Sequence, residues 1–380
     1  MKIVLNAHGE DAGSKVCIYD LYKELIKKKI SASLNDWENY DKYDFAIFMG
    51  YDEDIARARS QNPRIKIVIA DPKISSSKFQ KSAYDADLLV VSSIEQRDKF
   101  LSLSRNVFVY QMFPDVQGCE KKHVSKSPTI IGYHGNRVHL ECMALSVKPA
   151  LEALAHDREI EFWAIYNIEK LGKAKLGCPS EKYVKVRHIQ WHTNVYEEIF
   201  PQIDVGIVPN EMPIKNKLKW LYKLQWGGSE CMNQPFDHLI RLKASCNAGR
   251  IYPFSVYGIP IISDFSPSAA QFIEDGVSGF LVSSEHGWYH ALDILSADSN
   301  LRNSFAKNLR RKTFAANQSR VSRLIENLKN LKRIHLSSKM PDLILRESVK
   351  EYSRYSRPVS PFSFRLKSII QGIQRRVNRL

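Results

Sequence analysis

Long apolar runs are missing from this chain of 380 residues, and so is any arrangement of cysteines that would organise a fold. No apolar run approaches the roughly 18–20 residues that a membrane-spanning helix needs. The amino terminus, MKIVLNAHGEDAG, has only a short apolar run before an acidic pair, so it predicts a first strand rather than a signal peptide. The six cysteines are scattered without a CxxC pair or a Cys/His cluster, which supports neither a zinc site nor a disulfide framework. We expect free thiols in a reducing cytoplasm.

Acidic residues are scarce at one end of the chain. Residues 301–380 contain twenty Lys and Arg but only four Asp and Glu, whereas residues 1–300 are almost neutral, although the whole chain carries a net charge of +15. Such an asymmetry is typical of a protein that meets a polyanionic surface, either nucleic acid or acidic lipid. A solvated basic helix without a partner is the alternative.

The last segment, SPFSFRLKSIIQGIQRRVNRL, favours lipid over nucleic acid. Its apolar residues recur in steps of three and four, which puts them on one face of a helix. They are Phe362, Leu366, Ile369, Ile370, Ile373, Val377 and Leu380. Basic residues surround the other side, namely Arg365, Lys367, Arg375, Arg376 and Arg379. Such a helix can lie in a membrane interface, so we expect an anionic membrane surface as a partner, although the same face could also dock on the protein body.

The rest of the composition is that of a globular protein, with 44% hydrophobic and 11% aromatic residues and enough length for two domains. Apolar runs alternate with helical patterns, which predicts parallel α/β units. A first series of strands is expected at 2–7, 45–50, 65–70, 88–92 and 107–111. A second series is expected at 129–133, 159–166, 184–189, 205–208, 260–263 and 280–282.

Two doubly wound, Rossmann-like domains follow from these series. We assign residues 1–118 to an amino-terminal domain, the polar segment 119–128 to a linker, and 129–335 to a second domain. Residues 336–380 form a basic helical tail that could return to the first domain. Open α/β sheets bind ligands at the carboxyl ends of their strands, so two such domains should leave a cleft between these ends. Residues 211–242, a basic and aromatic insertion with Trp220 and Trp226, are either a lid or docking loop or a surface helical excursion.

Several motifs in a fixed order carry a resemblance to a known family. They are Gly9, Gly13 and Ser14 after the first strand, 86–93 (ADLLVVSS), 131–136 (IGYHGN), 204–209 (DVGIVP), Arg250, 258–262 (GIPII) and 273–282 (IEDGVSGFLV). Together they resemble GT-B glycosyltransferases of the family-4 type, over roughly residues 1–315. The resemblance implies two Rossmann-like domains facing each other across a cleft, a nucleotide-sugar donor bound by the second domain, and a generally retaining reaction without a metal or other cofactor.

The sequence departs from the family pattern at two positions. The family has a glutamate five residues before the glycine of the Gly-x-Pro motif and another eight residues earlier, where this chain has Pro253 and Ser245. The second glutamate of the pair commonly binds the donor ribose, so this contact must be supplied differently or lost. Retention of anomeric configuration therefore does not follow from the resemblance, and the stereochemistry stays open.

Candidate donor-binding residues lie where predicted strands end or helices begin. A leaving diphosphate must be stabilised by cations, backbone N–H groups and helix N-termini. Lys243 and Arg250 flank a predicted helix start that Asn247 can cap, and Gly135, Asn136 and Arg137 follow a strand at a point where glycine lets the backbone approach phosphate. The remaining candidates are Gln190 and Trp191 beside the nucleobase and Ser266 and Ser268 in a donor turn. Surface ion pairs, core packing and helix capping are the structural alternatives for these residues.

On the acceptor side, Gly13 and Ser14 begin a helix, and His8 and Asp71 follow strands. An inverting enzyme would need a carboxylate or imidazole base there, and these two residues are the catalytic candidates; turn roles are the alternative. In a retaining enzyme the leaving phosphate could take the acceptor proton.

The sequence is thus interpreted as a glycosyltransferase that moves a sugar from a nucleotide-sugar donor to a glycan or lipid-linked acceptor in cell-surface polysaccharide synthesis. We expect a cytoplasmic protein peripherally bound to the inner face of the plasma membrane. Two alternatives remain, a sugar-nucleotide epimerase on the same fold and a catalytically degenerate glycan- or nucleic-acid-binding protein. The apolar face of the tail argues against nucleic acid.

Overall fold

The computed structural model describes residues 1–9, 11–73, 76–174, 176–192, 194–210 and 248–333. These residues form two six-stranded parallel sheets with helices between the strands. The two expected doubly wound sheets are confirmed. The insertion at 211–242 and the tail at 336–380 lie outside the described residues.

The first sheet has the strand order β2-β1-β3-β4-β5-β6. Its strands are β1 Lys2–Asn6, β2 Ser31–Leu34, β3 Phe45–Met49, β4 Lys66–Ala70, β5 Leu88–Val91 and β6 Val107–Val109. The helices between them are α1 Ala12–Ser14, a π-helical turn Lys15–Tyr19, α2 Asp20–Lys27, a 3₁₀ turn Tyr40–Lys42, α3 Ile55–Gln61, α4 Ser77–Asp85 and α5 Ile94–Phe100. The central strand β3 is buried along its whole length, as expected when helices cover both faces of a parallel sheet.

The second sheet has the order β12-β11-β10-β7-β8-β9. Its strands are β7 Thr129–His134, β8 Ile160–Tyr166, β9 Lys185–Gln190, β10 Val205–Val208, β11 Ile261–Asp264 and β12 Phe280–Val282. The described α-helices of this part are α6 Arg137–Cys142, α7 Val147–Asp157, α8 Ile168–Leu171, α9 Val195–Ile199, α10 Ile251–Val256, α11 Pro267–Ala270, α12 Glu285–Ala297 and α13 Ser299–Arg333. Short 3₁₀ turns are Met143–Leu145, Phe200–Gln202 and Ala248–Arg250.

Each sheet has a point where the direction of winding reverses. In the first sheet it lies between β1 and β3, and in the second between β7 and β10. Loops leave the sheet in opposite directions there, which opens a crevice at the carboxyl ends of the strands. These two places position the candidate site residues.

The described residues divide into two compact units. One contains residues 1–91, 97–108 and 325–333, and the other contains 92–96 and 109–324. The segment 119–128, interpreted above as a linker, packs within the second unit. There the Lys121 ammonium donates to the Ile203 carbonyl at 2.6 Å and pairs with Asp204 at 3.0 Å.

The long helix α13 was not expected as an element. Its 35 residues show no continuous apolar face, but Phe305, Leu309 and Leu324 are buried. Arg302 is also buried, and its guanidinium donates to the carbonyls of Leu295 and Val124. None of the described helices is both long enough and apolar enough to cross a membrane.

Candidate functional site

The switch point of the second sheet begins with the segment that follows β7. Gly135 has a φ of +146°, and a Cβ built there would lie 2.8 Å from the Tyr133 hydroxyl and 2.9 Å from Arg250 Cδ. Only glycine fits both the backbone conformation and the space. Asn136 caps α6, since its side chain accepts a hydrogen bond from the Val138 N–H at 3.0 Å. This segment therefore brings the backbone close to Arg250.

Arg250 lies at the end of the 3₁₀ turn that leads into α10. Its Nη2 donates to the Pro209 carbonyl at 2.8 Å and to Asn210 Oδ1. Nη1 is buried and has no hydrogen-bond partner among the described residues. Within that part of the chain, no carboxylate pairs with the guanidinium either. Among the described residues, the guanidinium is thus held by neutral acceptors and has no carboxylate partner.

Asn210 is itself held in place by Asp264. The Asn210 N–H donates to Asp264 Oδ2 at 2.6 Å, and the Trp288 indole N–H donates to Oδ1 of the same carboxylate at 3.1 Å. Asp264 and Asn210 are buried, with 2% and 4% of their surface exposed. Buried polar groups that satisfy one another in this way fix a single geometry. Three consecutive strand ends, those of β7, β10 and β11, therefore converge on Arg250.

His134, the last residue of β7, was not among the predicted site residues. Its Nε2 lies 2.7 Å from the carbonyl oxygen of Arg250, and since a carbonyl can only accept, the ring nitrogen donates. Burial lowers the pKa of His134 to about 4, so the ring is neutral near pH 7. The side chain thus contacts the backbone of the candidate phosphate-binding arginine.

Other predicted donor residues have local partners. The Arg137 guanidinium donates to the Leu171 carbonyl and pairs with Glu141 at 3.2 Å. Gln190 Oε1 accepts from the N–H groups of Ile168 and Glu169, which begin α8. Trp191 packs partly buried against the core. A donor-binding role for these three residues stays a prediction.

The two serines of the predicted donor turn are buried. Ser266 caps α11 by accepting the Ala269 N–H at 3.2 Å, and its hydroxyl lies 3.4 Å from that of Ser268. Lys243 and Asn247, the other candidates around the arginine, lie outside the described residues. Among the described donor candidates, Gly135 and Arg250 lie in contact with each other at the switch point.

The switch point of the first sheet gathers a second group of side chains. Asp11 caps α1: its carboxylate accepts from Gly13 N at 2.8 Å, from the Ser14 hydroxyl at 3.1 Å and from the Tyr51 hydroxyl at 2.7 Å. Burial raises the pKa of Asp11, but these hydrogen bonds, that of Tyr51 first, outweigh it and the pKa is lowered overall. Gly13 and Ser14 therefore belong to a rigid turn built around a carboxylate that stays ionised.

The two catalytic candidates differ in their surroundings. The His8 ring stacks on Trp37 with centroids 4.0 Å apart, and the backbone N–H of His8 donates to the Asp52 carboxylate at 3.0 Å. Asp71 has a φ of +50° and pairs with Lys73. The Asp71 carboxylate is therefore already engaged by an ammonium, and a catalytic role for either residue stays a prediction.

The chain contains two Asp-x-Asp triplets, at 52–54 and 85–87, and carboxylates are the ligands that divalent cations prefer. Asp85 pairs with Lys81, Asp87 with Arg59 and Lys66, and Asp52 accepts the His8 N–H. In the part of the chain that the structure describes, no group of three or more His, Cys, Asp or Glu side chains could hold a metal ion.

Several solved structures are similar to this chain in their fold. The chain is similar to Anabaena HepE in complex with UDP (TM-score 0.52, 13% identity, 87% of this chain and 100% of that one). It is also similar to sucrose-phosphate synthase from Thermosynechococcus elongatus (TM-score 0.55, 11% identity, 87% and 98%). A third is the DNA-modifying enzyme beta-glucosyltransferase, studied with and without uridine diphosphoglucose (TM-score 0.51, 13% identity, 88% and 100%).

The fold is GT-B. At these identities the similarity concerns the fold alone, and neither a protein-family model nor a curated protein sequence matches the chain. The expected GT-B architecture, with a Rossmann-like sheet in each half, is therefore confirmed.

Several residues of the candidate site were not predicted from the sequence. His134, Asn210 and Asp264 each end or follow a strand of the second sheet. The signal was available, because polar residues at the carboxyl ends of buried strands in a Rossmann-like sheet lie at the ligand edge. Trp37 and Tyr51, beside the first sheet, could not be recognised in this way, because both lie in loops whose course the sequence does not predict.

Proposed function

We propose that this chain is a glycosyltransferase that moves a sugar from a nucleotide-sugar donor to a glycan or lipid-linked acceptor in cell-surface polysaccharide synthesis. The observation that carries the proposal is Arg250, a cation at the switch point of the second sheet with neutral partners and no described counter-charge. A GT-B fold whose similar structures include a protein solved with UDP and an enzyme studied with uridine diphosphoglucose supports the same ligand class.

The chemistry requires a cation where Arg250 lies. In sugar transfer, the bond between the anomeric carbon and the donor phosphate oxygen breaks, and its electron pair stays on the diphosphate. A bond forms between the anomeric carbon and an acceptor hydroxyl, which loses its proton. Arginine suits the diphosphate because its planar fork can donate two hydrogen bonds at once. Stabilising this charge lowers the barrier to transfer.

The acceptor hydroxyl would meet the edge of the first sheet. If the reaction inverts the anomeric carbon, His8 is the proposed base, and Asp71 is the second choice because Lys73 already engages it. If the reaction retains configuration, the leaving diphosphate takes the proton and no side-chain base is needed. The anomeric configuration of the first-formed product, read by NMR, decides between the two.

The proposal includes a location. The protein would work in the cytoplasm at the inner face of the plasma membrane, bound through the basic residues of 361–380, and nucleic acid is not a proposed partner. A lipid-linked acceptor would then be reached in the plane of the membrane.

One observation favours a second candidate function, that of a glycan-binding protein without activity. Pro253, which replaces one of the family's glutamates, is buried within α10. A proline offers no carboxylate for the donor ribose, so at this position the chain cannot make the contact that the family makes. An epimerase on the same fold remains the other enzymatic alternative.

The test is a thermal-shift and turnover screen. UDP, GDP, dTDP and CMP and their sugars are added to the full-length protein, and release of free nucleotide is followed. We expect one nucleoside diphosphate to stabilise the protein, since a ligand at 100 times its Kd contributes about 2.7 kcal/mol, and its sugar conjugate to be consumed. Stabilisation by a glycan alone, without nucleotide release, would identify a binder, and an epimerised sugar product would identify the epimerase.

Turnover should persist in excess EDTA. The proposed site neutralises the diphosphate with a guanidinium, so no divalent cation is required for this step. The measurement compares the rate of nucleotide release with EDTA and with added magnesium or manganese. A loss of activity in EDTA that either metal restores would contradict the proposed metal-independent site.

A further inference from the structure

Two buried histidines hold the two ends of the segment that carries Arg250. His134 Nε2 donates to the carbonyl oxygen of Arg250, where α10 begins, and His123 Nε2 donates to the carbonyl oxygen of Gly258, just after α10 ends. Both distances are 2.7 Å. Burial lowers the pKa of each ring to about 4, so both act as neutral donors near pH 7.

The His134 ring cannot easily turn away from its acceptor. Three aromatic rings surround it edge-to-face, with centroid distances of 5.7 Å to Tyr196, 5.2 Å to Phe200 and 5.0 Å to Phe254. Such contacts between rings are directional. The end of β7 thereby fixes the ring, and the ring fixes the carbonyl of Arg250.

The local sequence offers the Arg250 carbonyl one backbone donor. Arg250 is the N-cap of α10, so the N–H of Phe254, four positions on, can donate to its carbonyl, whereas Pro253, three positions on, has no N–H; the His134 ring supplies a donor for the second lone pair. At the other end of the same residue, the guanidinium contacts Pro209 and Asn210, and Asp264 orients Asn210. Arg250 is therefore held at both its backbone and its side chain.

We propose that His134 is a positioning residue, which through its hydrogen bond to the Arg250 carbonyl aims the guanidinium at the diphosphate of the donor. This inference rests on the proposed function, because it assigns Arg250 to the diphosphate. A long, flexible side chain binds more tightly when its free conformations are already restricted. Losing the His134 hydrogen bond should therefore weaken binding of the diphosphate and leave the nucleoside part unaffected.

The test is a double-mutant cycle on the full-length protein. His134→Phe keeps an aromatic ring among Tyr196, Phe200 and Phe254 but removes the donor. His123→Phe is the matched control, since it removes a hydrogen bond of the same type and length that goes to the Gly258 carbonyl instead of the Arg250 carbonyl. Each is combined with Arg250→Ala, and calorimetry measures the affinity for the nucleoside diphosphate found in the screen and for its parent nucleoside.

We expect His134→Phe to weaken diphosphate binding roughly tenfold, the scale of one lost hydrogen bond. Nucleoside binding should not change. His123→Phe should lower the melting temperature about as much as His134→Phe does, but it should leave the affinities for the diphosphate and for the nucleoside unchanged. In the Arg250→Ala background, His134→Phe should have no further effect on diphosphate affinity, because coupled residues are not additive. His134→Gln, which keeps an N–H donor, should restore part of the affinity.

Other outcomes overturn the inference. Equal losses from the two histidine variants would mean that general packing matters, and an additive effect with Arg250→Ala would mean that His134 acts elsewhere. If Arg250→Ala itself leaves diphosphate affinity unchanged, the proposed function of the site fails, which is a separate result. Should His134→Phe not fold, His134→Met takes its place, because methionine fills an irregular space without supplying a donor.

Discussion

Replacing Arg250 by alanine is expected to weaken binding of a nucleoside diphosphate by roughly 10- to 150-fold. A hydrogen bond to a charged group contributes about 1.5–3 kcal/mol, and each 1.4 kcal/mol is a factor of ten in affinity. Arg250 is the described cation at the switch point whose hydrogen-bond partners are neutral. Titration calorimetry with the nucleoside diphosphate and with the parent nucleoside would locate the loss on the phosphates.

Two variants control for other causes. Arg158→Ala removes a guanidinium that pairs with Asp293. Arg158 lies just before β8, at the amino-terminal ends of the strands and away from the switch point, so its loss should change neither the diphosphate affinity nor the nucleoside affinity. Arg250→Lys keeps the charge but not the planar fork, so it should recover only part of the affinity. If Arg250→Ala and Arg158→Ala bind the diphosphate equally well, Arg250 is not the phosphate ligand.

The sequence predicted almost all of the two sheets. Runs such as 67–70 (IVIA) and 205–208 (VGIV) are apolar throughout, which is how strands covered on both faces appear in a sequence. The edge strand β2, Ser31–Leu34, was not predicted because its sequence, SASL, is short and half polar and the strand is only partly buried. The helix α13 was not predicted because its apolar residues do not recur with a clear helical spacing. Tertiary contacts, such as those of Arg302, stabilise it instead.

The candidate site was predicted only where one residue carries its own signal. Gly135 could be found because a glycine after a strand often takes a conformation that other residues avoid. The hydrogen bond between His134 and Arg250 joins positions 116 residues apart, and that between Asn210 and Asp264 joins positions 54 apart. A single sequence holds no record of such pairs, so the support around Arg250 appears only in the fold.

Removing residues 361–380 is expected to release the protein from anionic vesicles. The segment carries five basic residues beside a continuous apolar face. Each basic residue near an anionic surface contributes about 1 kcal/mol, so five contribute on the order of 5 kcal/mol, a loss of roughly three to four orders of magnitude in the binding constant. Co-sedimentation of the full-length and shortened proteins with acidic and with neutral vesicles measures the effect.

Two full-length variants separate charge from apolar insertion. Changing the five basic residues to glutamine should abolish the preference for acidic lipid, whereas changing Ile369, Ile370 and Ile373 to serine should make the remaining binding vanish at high salt. The reason is that salt screens the charges but not the apolar face. Equal vesicle binding by the full-length and shortened proteins would show that the segment is not the anchor, and the insertion with Trp220 and Trp226 would be tested next. If the shortened protein loses its cooperative thermal unfolding, the apolar face packs on the protein body rather than on lipid.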